Sequence, residues 1–505
     1  MQKVFKHDLF LIFIIFIIFV ICLPFFFLHQ GLLAVDTGRE FYLSQQVANG
    51  GILYQNIFNI YGPFAYQLNG LLFKTFGEKI LTLYWMGIIN SFIIVISLYL
   101  ISREFLKKSF SFLISIFTVF SLVFTTFLYN SNITYSYGLI YALSSFLLSL
   151  LFLVKYLKND SNKYLYLSFL FAGLSIINKY EFILYPFLLV YVLFFLKPID
   201  IKTKIKSIIC FLIMPFLSFG ILFYQGLTLD KLKEAFELMT IMAKSDNMRL
   251  FYSNFGNFFE PSKYLFLIIR NPFSAIFGFL PIINIILFLI FIKKIRNNTA
   301  LFIFCIASIL ASIKFILFLN IDHMGAFLLP LCLLTLLVLC ESFNNITNLK
   351  YIILSALILF YAYNDFNSLQ YKNYLLKTQK GNIYTFRKDG EPIKIVSDYI
   401  IQNSKKEDKV VILPEGAFIN FITDRKSDNI LHNLVPLYYT DTFGENKVLN
   451  HYNKYPADYF VIMPLSTIEY GSNSFCDYAN NFCEMINNNY SLEQEINNIK
   501  IYKRK

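Results

Sequence analysis

The sequence predicts a polytopic α-helical membrane protein of about 11 transmembrane helices with a small C-terminal α/β domain. Of the 505 residues, 57% are hydrophobic and 15% are charged, whereas soluble chains carry roughly 25% charged residues. Apolar runs recur through residues 1–364, and a run of about 20 residues can cross a hydrocarbon core as a helix. After about residue 365 the long runs end and Asn, Asp and Lys become frequent. We therefore predict a membrane domain over 1–364 and a C-terminal domain over 365–505.

The first apolar run, Leu9 to Leu28, predicts a retained helix. It is longer than the roughly 7–15 apolar residues of a signal peptide, and no small-residue cleavage site follows it.

Basic residues predict the topology of the spans. Lys3 and Lys6 precede the first run, and basic clusters then follow every second run, the last strong one at Lys293, Lys294 and Arg296. Because cytoplasmic loops are rich in Lys and Arg, the N-terminus is predicted to be cytoplasmic and the C-terminal domain extracytoplasmic. This placement also explains much of the net charge of +12, so nucleic acid is not an expected partner.

The first outer loop, 31–79, predicts two short helices within the membrane domain. The first covers 37–49 and ends at Gly50-Gly51, because glycine suits a left-handed helix end. The second begins with Pro63 in its first turn and ends at Gly77. Its apolar residues recur on one face at Phe64, Leu68, Leu71, Leu72 and Phe76. At about 14 residues it is too short to span, so we predict that it lies in the membrane interface.

The C-terminal domain shows short strand-like runs at 409–413, 458–463 and 499–503, with helical patterns between them, for example at 393–403. Strands that alternate with helices predict an α/β domain.

Cys476 and Cys483 lie in this extracytoplasmic domain, where thiols can stay oxidised. In one continuous helix their Cα atoms would be roughly 10 Å apart, too far for a disulfide, which needs about 4.4–6.8 Å. We predict a disulfide with a turn at Asn480-Asn481. The alternative is two free thiols in a continuous helix.

Three charged residues follow the first span within five positions: Asp36, Arg39 and Glu40. Charged groups at a membrane are costly and usually line a site. Asp36 is therefore a candidate base or electrostatic anchor. The alternative is that Asp36, or Thr37, caps the next helix.

The segment "VDTGREFYLSQQVANGGILYQNIFNIYGPFAYQLNGLLFKTFG" resembles the first periplasmic loop of polytopic GT-C glycosyltransferases. It is most similar to the bacterial glycosyltransferase family 39 group, which is related to protein O-mannosyltransferases and the lipid A aminoarabinose transferase. Asp36, Arg39, Tyr54 and the segment Tyr61-Gly62-Pro63 match that pattern. The second acid of the family is Thr37 here, so a paired-carboxylate mechanism does not carry over directly. Glu40 is the candidate substitute, at a different helical angle.

Two further segments resemble the group. "INKYEF" carries Lys179 and Glu181 at an outer hairpin, and "NIDHMGAFLLP" carries Asp322 and His323 at the outer start of a helix. Lys179 could instead be a snorkelling lysine, Asp322 an N-cap and His323 an interface residue. "FINFITDRKSDNILHN" and "YPADYFVIM" resemble the soluble domain of the group.

The resemblance implies a GT-C-like fold in the inner (plasma) membrane of a bacterium. It implies transfer of a sugar from a polyprenyl-phosphate-linked donor to a lipid, glycan or protein acceptor at the outer face, among membrane lipids. The residue types agree with this chemistry, because a base must reach the acceptor hydroxyl and a cation must bind the phosphate. The implied catalytic residues are Asp36 and Glu40, and the implied substrate-binding residues are Arg39, Tyr61, Lys179, Glu181, Asp322 and His323. A divalent cation on Asp36, Glu40, Asp322 and His323 is a further hypothesis.

Two other classes of function stay open at this point. A transporter or flippase for a lipid-linked glycan would carry broken helices or charges near the middle of spans, whereas these charges lie at span ends on one side. A scaffold would not need the acids of the outer loop.

Overall fold

The computed structural model of the chain describes residues 2–29, 31–125, 130–254, 278–318, 326–342, 347–467, 470–472 and 474–505. Their contacts divide the chain into two compact units. The first unit is Met1–Gly31, Tyr84–Gly220 and Phe255–Gln370, and the second unit is Leu32–Leu83, Ile221–Asn254 and Tyr371–Lys505. The outer loop that we assigned to the membrane domain therefore groups with the C-terminal residues.

Helices dominate both units, and we number the α-helices in chain order. They are α1 (Gln2–Cys22), α2 (Asp36–Ala48), α3 (Phe64–Phe76), α4 (Ile80–Arg103), α5 (Lys108–Thr118), α6 (Tyr137–Asn159), α7 (Asn162–Asn178), α8 (Tyr185–Tyr191), α9 (Ile201–Gln225), α10 (Leu229–Lys244), α11 (Asp246–Asn254), α12 (Leu280–Ile295), α13 (Thr299–Phe318), α14 (Ala326–Glu341), α15 (Thr347–Ser368), α16 (Arg387–Asn403), α17 (Ala417–Thr423), α18 (Glu445–Lys454), α19 (Phe475–Tyr478) and α20 (Asn480–Asn489).

Among the described residues, three helices are long and apolar enough to cross a membrane: α4, α6 and α9. Several shorter apolar helical segments accompany them, such as Lys108–Val123 and Ala326–Glu341. Large apolar side chains on α9 are exposed, for example Phe216 and Tyr224, as expected of a helix that faces lipid. The chain thus has the helices of a polytopic membrane protein, while the count of about 11 spans stays a prediction.

The first unit is held together by an apolar core that includes Ile94, Phe146 and Leu334. Small polar residues connect its segments. The hydroxyl oxygens of Ser91 on α4 and Ser131 in the loop before α6 lie 2.5 Å apart, and the Ser149 hydroxyl of α6 donates to the Ser168 carbonyl of α7 at 2.6 Å. Small hydroxyl residues let apolar helices approach closely and hydrogen-bond across their interface.

In the second unit, both predicted outer-loop helices are confirmed. Helix α2 ends at Ala48, with Gly50 in the left-handed region at φ +91°. Helix α3 begins after Pro63 and ends before Gly77, whose φ is +90°. These turns suit glycine because a Cβ disfavours positive φ.

The apolar face predicted for α3 lies on its exposed side. Leu71 is 58% exposed and Phe76 is 71% exposed. The buried side includes Tyr66 and Phe73, and Phe73 stacks on Phe421 of α17 with ring centroids 5.7 Å apart. An apolar stripe that the second unit leaves uncovered is typical of an interfacial helix.

The predicted strands at 409–413, 458–463 and 499–503 are confirmed as β3 (Val410–Leu413), β4 (Tyr459–Ile462) and β6 (Ile499–Arg504). Strand β5 (Tyr490–Ile496) and the hairpin of β1 (Tyr374–Thr378) and β2 (Gly381–Thr385) were not predicted. The larger sheet has the order β3-β4-β6-β5, with β3 parallel to β4 and the other pairs antiparallel. The predicted helix at 393–403 is part of α16.

The predicted disulfide between Cys476 and Cys483 is present, with 5.8 Å between the Cα atoms. The chain turns at Ala479, between α19 and α20. The turn therefore comes one residue before the predicted Asn480-Asn481.

Candidate functional site

The site begins at the first residue of α2. Asp36 occupies the first turn, and Val35 is the N-cap residue; among the described residues no side chain caps this end. The Thr37 hydroxyl instead accepts from the Leu32 backbone N–H at 3.0 Å. The alternative role of Asp36 or Thr37 as the N-cap is therefore wrong. Asp36 still benefits from the positive end of the helix dipole.

Asp36 and Arg39 form an ion pair one helical turn apart. Arg39 Nη2 donates to Asp36 Oδ1 at 2.6 Å, and the side chains are 11% (Arg39) and 32% (Asp36) exposed. Burial opposes the charge on Arg39, but Asp36 and three neighbouring tyrosines raise the pKa of Arg39 above its ordinary value. Among the described residues Asp36 Oδ2 has no hydrogen-bond donor, so one carboxylate oxygen is held and the other is available.

Arg39 also lines a small cavity of about 20 Å³, enough for one water molecule. Side chains from three parts of the second unit meet there. Its walls include Tyr61 of the outer loop, Tyr66 of α3, and His432 and Tyr438 of the C-terminal residues.

Hydrogen bonds to its backbone fix the position of Tyr61. Asn59 accepts from the Tyr61 N–H at 3.2 Å and donates to the Tyr61 carbonyl at 2.7 Å. The Tyr54 hydroxyl donates to the same carbonyl. Tyr54 itself has a φ of +66°, which is uncommon for a residue with a side chain. These contacts fix Tyr61-Gly62-Pro63 beside Arg39.

Glu40 is buried beneath this surface. The Tyr66 hydroxyl donates to Glu40 Oε1 at 2.5 Å, and the Ser44 hydroxyl donates to the Glu40 carbonyl. Burial and the Glu40 charge raise the pKa of Tyr66, so the phenol keeps its proton. The described contacts favour a supporting role for Glu40, and its predicted catalytic role stays a prediction.

Close backbone packing positions α2. A Cβ placed on Gly38 would lie 2.3 Å from the Leu33 carbonyl oxygen and 2.6 Å from Phe418 Cβ. Gly38 therefore lets α2 approach α17 more closely than any other residue type would.

The loop that carries His432 is organised by Asp428. Asp428 Oδ2 contacts Lys409 Nζ at 2.7 Å and His451 Nε2 at 2.6 Å. Burial opposes ionisation of Asp428, but the hydrogen bond with His451 and the charge of Lys409 lower the pKa of Asp428 well below its usual range. Asp428 Oδ1 accepts from the Leu431 N–H at 2.9 Å, which fixes the backbone next to His432.

His432 itself is neutral in this site. Its Nδ1 lies 3.2 Å from the Asn429 carbonyl oxygen, which can only accept, so Nδ1 carries the hydrogen. Burial and the nearby Arg39 charge lower the pKa of His432 from 6.5 to about 4. His432 and Asn433 lie in the segment that resembles the soluble domain of the group, but no residue pattern predicted a role for either of them.

Lys179 and Glu181 lie in the first unit. Lys179 follows α7, and its Nζ is 3.8 Å from Glu181 Oε1. The Lys179 side chain is 3% exposed, whereas a snorkelling lysine extends its charge into the interface. The buried ion pair argues against the snorkelling alternative.

Asp322 and His323 lie outside the described residues. Within the described ranges, no three His, Cys, Asp or Glu side chains cluster closely enough to hold a metal ion.

Two solved structures share the fold of the chain. ArnT from Cupriavidus metallidurans, bound to undecaprenyl phosphate, aligns with 96% of this chain and 97% of its own, at 12% identity and a TM-score of 0.56. The archaeal oligosaccharyltransferase AglB from Archaeoglobus fulgidus, in complex with an inhibitory peptide and a dolichol-phosphate, aligns with 96% of this chain and 72% of its own, at 12% identity and a TM-score of 0.51. Together with the helices of the first unit, these similarities show a membrane fold of the GT-C type.

A family comparison agrees with the fold. Residues 61–221 match the model of dolichyl-phosphate-mannose-protein mannosyltransferases. A comparison with curated proteins gave no match. The predicted resemblance is confirmed: the chain is similar to GT-C glycosyltransferases in both sequence and fold. The family match and the fold both indicate the class of membrane glycosyltransferases.

Proposed function

We propose that the protein transfers a sugar from a polyprenyl-phosphate-linked donor to a lipid, glycan or protein acceptor at the outer face of the membrane. Asp36 is the base or electrostatic anchor of this reaction. The structurally similar ArnT and AglB were solved with undecaprenyl phosphate and dolichol-phosphate, which supports a donor of this class. In this proposal the N-terminus is cytoplasmic, the chain has about 11 spans, and the C-terminal residues lie outside.

The observation that carries the proposal is the Asp36 carboxylate, held on one side by Arg39 and open on the other. In the proposed reaction, the acceptor oxygen bonds to the anomeric carbon of the sugar while its proton passes to Asp36 Oδ2. The bond from the anomeric carbon to the phosphate oxygen breaks, and its electron pair leaves with polyprenyl phosphate. Arg39 keeps the carboxylate oriented throughout, because its contact uses only Oδ1.

The departing phosphate needs a cation, and Lys179 is the proposed one. Its charge is buried, and the Glu181 carboxylate lies 3.8 Å away, farther than in an ordinary charge-assisted hydrogen bond of about 2.7–2.9 Å. A phosphate oxygen at hydrogen-bond distance could therefore compete with Glu181 for the ammonium. The same reasoning assigns Glu181 to holding Lys179 in place between turnovers.

Replacement of Asp36 tests the catalytic assignment. Asp36→Asn keeps the size of the side chain and removes the base, so release of undecaprenyl phosphate from a panel of undecaprenyl-phosphate hexoses should fall about 10²-fold or more. Asp398→Asn is the matched control, since Asp398 pairs with Lys394 on the exposed surface of α16. A wild-type rate in the Asp36→Asn variant would rule out the base.

Replacement of Lys179 tests the phosphate site. Lys179→Met keeps the apolar stem, and we expect the donor KM to rise about tenfold, a loss of roughly 1.4 kcal/mol of binding. Lys350→Met is the control, because Lys350 is also largely buried in the first unit and paired with Glu341 at 3.0 Å. Equal effects of the two variants on KM would reduce Lys179 to a structural lysine.

A further inference from the structure

The second unit contains a larger cavity at the other end of α2. Its volume is about 480 Å³, and it is lined by residues of the last turn of α2, the following loop and residues 406–429. Ligand pockets span about 300–1,000 Å³, so this cavity is large enough for a small molecule or part of a larger one. The reaction proposed above does not use it.

Some of the polar groups around the cavity are already engaged in the framework. Arg425 donates to the Ser404 and Thr423 carbonyls. Asp424 accepts from Lys380 at 2.6 Å and from Gln45 at 3.0 Å. These contacts fix the walls and neutralise the acid among the lining residues.

A second group of lining side chains has no such partners. Lys406 and Lys426 are exposed at the cavity and pair with no carboxylate among the described residues. Within the same described part of the chain, the side chains of Gln46, Asn49 and Ser427 make no hydrogen bond. The cavity thus presents two unpaired positive charges beside amide and hydroxyl groups, with no aromatic or large apolar side chain on its described walls.

Helix α2 connects this cavity to the catalytic residues. Arg39, Leu43 and Gln46 are four and three residues apart, so they lie on one face of the helix. Arg39 and Leu43 line the small cavity near Asp36, and Gln46 lines the larger one. Seven residues at about 1.5 Å each separate the two along the axis by roughly 10 Å.

We propose that the larger cavity binds an anionic saccharide portion of the acceptor, with its hydroxyls on Gln46, Asn49 and Ser427 and its carboxylate or phosphate on Lys406 and Lys426. Amides and hydroxyls match the paired donors and acceptors of a sugar, and lysine binds anionic oxygens as a point charge. The assignment of this saccharide to the acceptor rests on the proposed function, but the saccharide site itself does not.

Direct binding to the purified full-length chain in detergent tests the site. The probes are trigalacturonate and the neutral maltotriose, titrated by isothermal calorimetry. We expect saturable binding of trigalacturonate, tighter than that of maltotriose, and a Kd about fivefold to tenfold higher in the Lys406→Gln/Lys426→Gln variant. The control is Lys405→Gln/Lys394→Gln, which makes the same change in net charge at exposed lysines outside the cavity.

Absence of saturable binding, equal affinity for both probes, or an equal loss in both double variants would overturn the proposal. Asp36→Asn should bind trigalacturonate like the wild type, because the cavity does not include Asp36. A negative result in the sugar-transfer assay would therefore not change the trigalacturonate titration. A negative titration would likewise not change the assignment of Asp36.

Discussion

Acid should loosen the candidate site through His432. The pKa of this buried imidazole is lowered to about 4 by burial and by Arg39, whereas an unfolded histidine has a pKa of about 6.5. The unfolded chain binds this proton more tightly than the folded chain does. The stability contributed by the neutral His432 is therefore fully present above pH 6.5 and is lost as the pH falls toward 4. At pH 5 the loss is about 2 kcal/mol, from RT ln[(1 + 10^1.5)/(1 + 10^−1)].

Hydrogen–deuterium exchange measures this loss locally. After correction for the intrinsic pH dependence of exchange, amides of residues 430–440 should lose about 30-fold of their protection between pH 7.5 and pH 5. The lowered pKa of Asp428 adds almost nothing in this window, because its contribution is lost mainly as the pH falls below the unfolded aspartate value of about 4.

The His432→Gln variant isolates the cause. Glutamine can donate to the Asn429 carbonyl but does not titrate, so the protection of these amides should be nearly the same at pH 5 and pH 7.5. His29→Gln, which changes a histidine of the first unit, should keep the wild-type response. An unchanged acid loss in His432→Gln would show that another group is responsible.

Three other predictions follow from described contacts. Tyr66→Phe removes a donor from the buried Glu40 carboxylate and should destabilise the second unit by about 1.5–3 kcal/mol in exchange measurements; a change below about 0.5 kcal/mol, the usual effect of a surface substitution, would contradict it. Cys476→Ser with Cys483→Ser opens a loop of eight residues and should cost about 2.5 kcal/mol, while alkylation of both thiols without reduction in the wild type would refute the bridge. A reporter fused after Tyr371 should be active only outside, and one fused after Lys294 only in the cytoplasm; the reverse pattern would remove the proposed outer site.

Local features of the second unit were predictable because single residues decide them. Gly50, Pro63 and Gly77 set the ends of α2 and α3. The i, i+3 spacing of Asp36 and Arg39 placed them one turn apart. The apolar runs of β3 and β4 are buried on both faces. Strand β5 was missed because it is an edge strand and four of its seven residues are polar: Ser491, Glu493, Gln494 and Glu495.

The rest of the site depends on distant contacts that no local pattern contains. The Tyr42 hydroxyl donates to Asn429 across 387 residues of sequence, and this contact helps to place His432 beside Arg39. The predicted apolar face of α3 includes the exposed Leu71 and Phe76, as an interfacial helix requires, but the pattern did not show that Phe421 packs against the opposite side. Periodicity shows that a helix has two faces but not which partner covers each of them.

Gly38 has a consequence for how this chain tolerates change. Gly38 lies between Asp36 and Arg39 in sequence. Helix α2 packs against Phe418 in the space that a side chain at position 38 would occupy. Any larger residue must push the start of α2 away from α17, and both members of the ion pair would move with it. Replacement of Gly38 by an uncharged residue removes no polar contact, yet it would thus impair catalysis as severely as the loss of a charged residue. In a mutational scan, position 38 should resemble a catalytic position although it has no chemistry of its own.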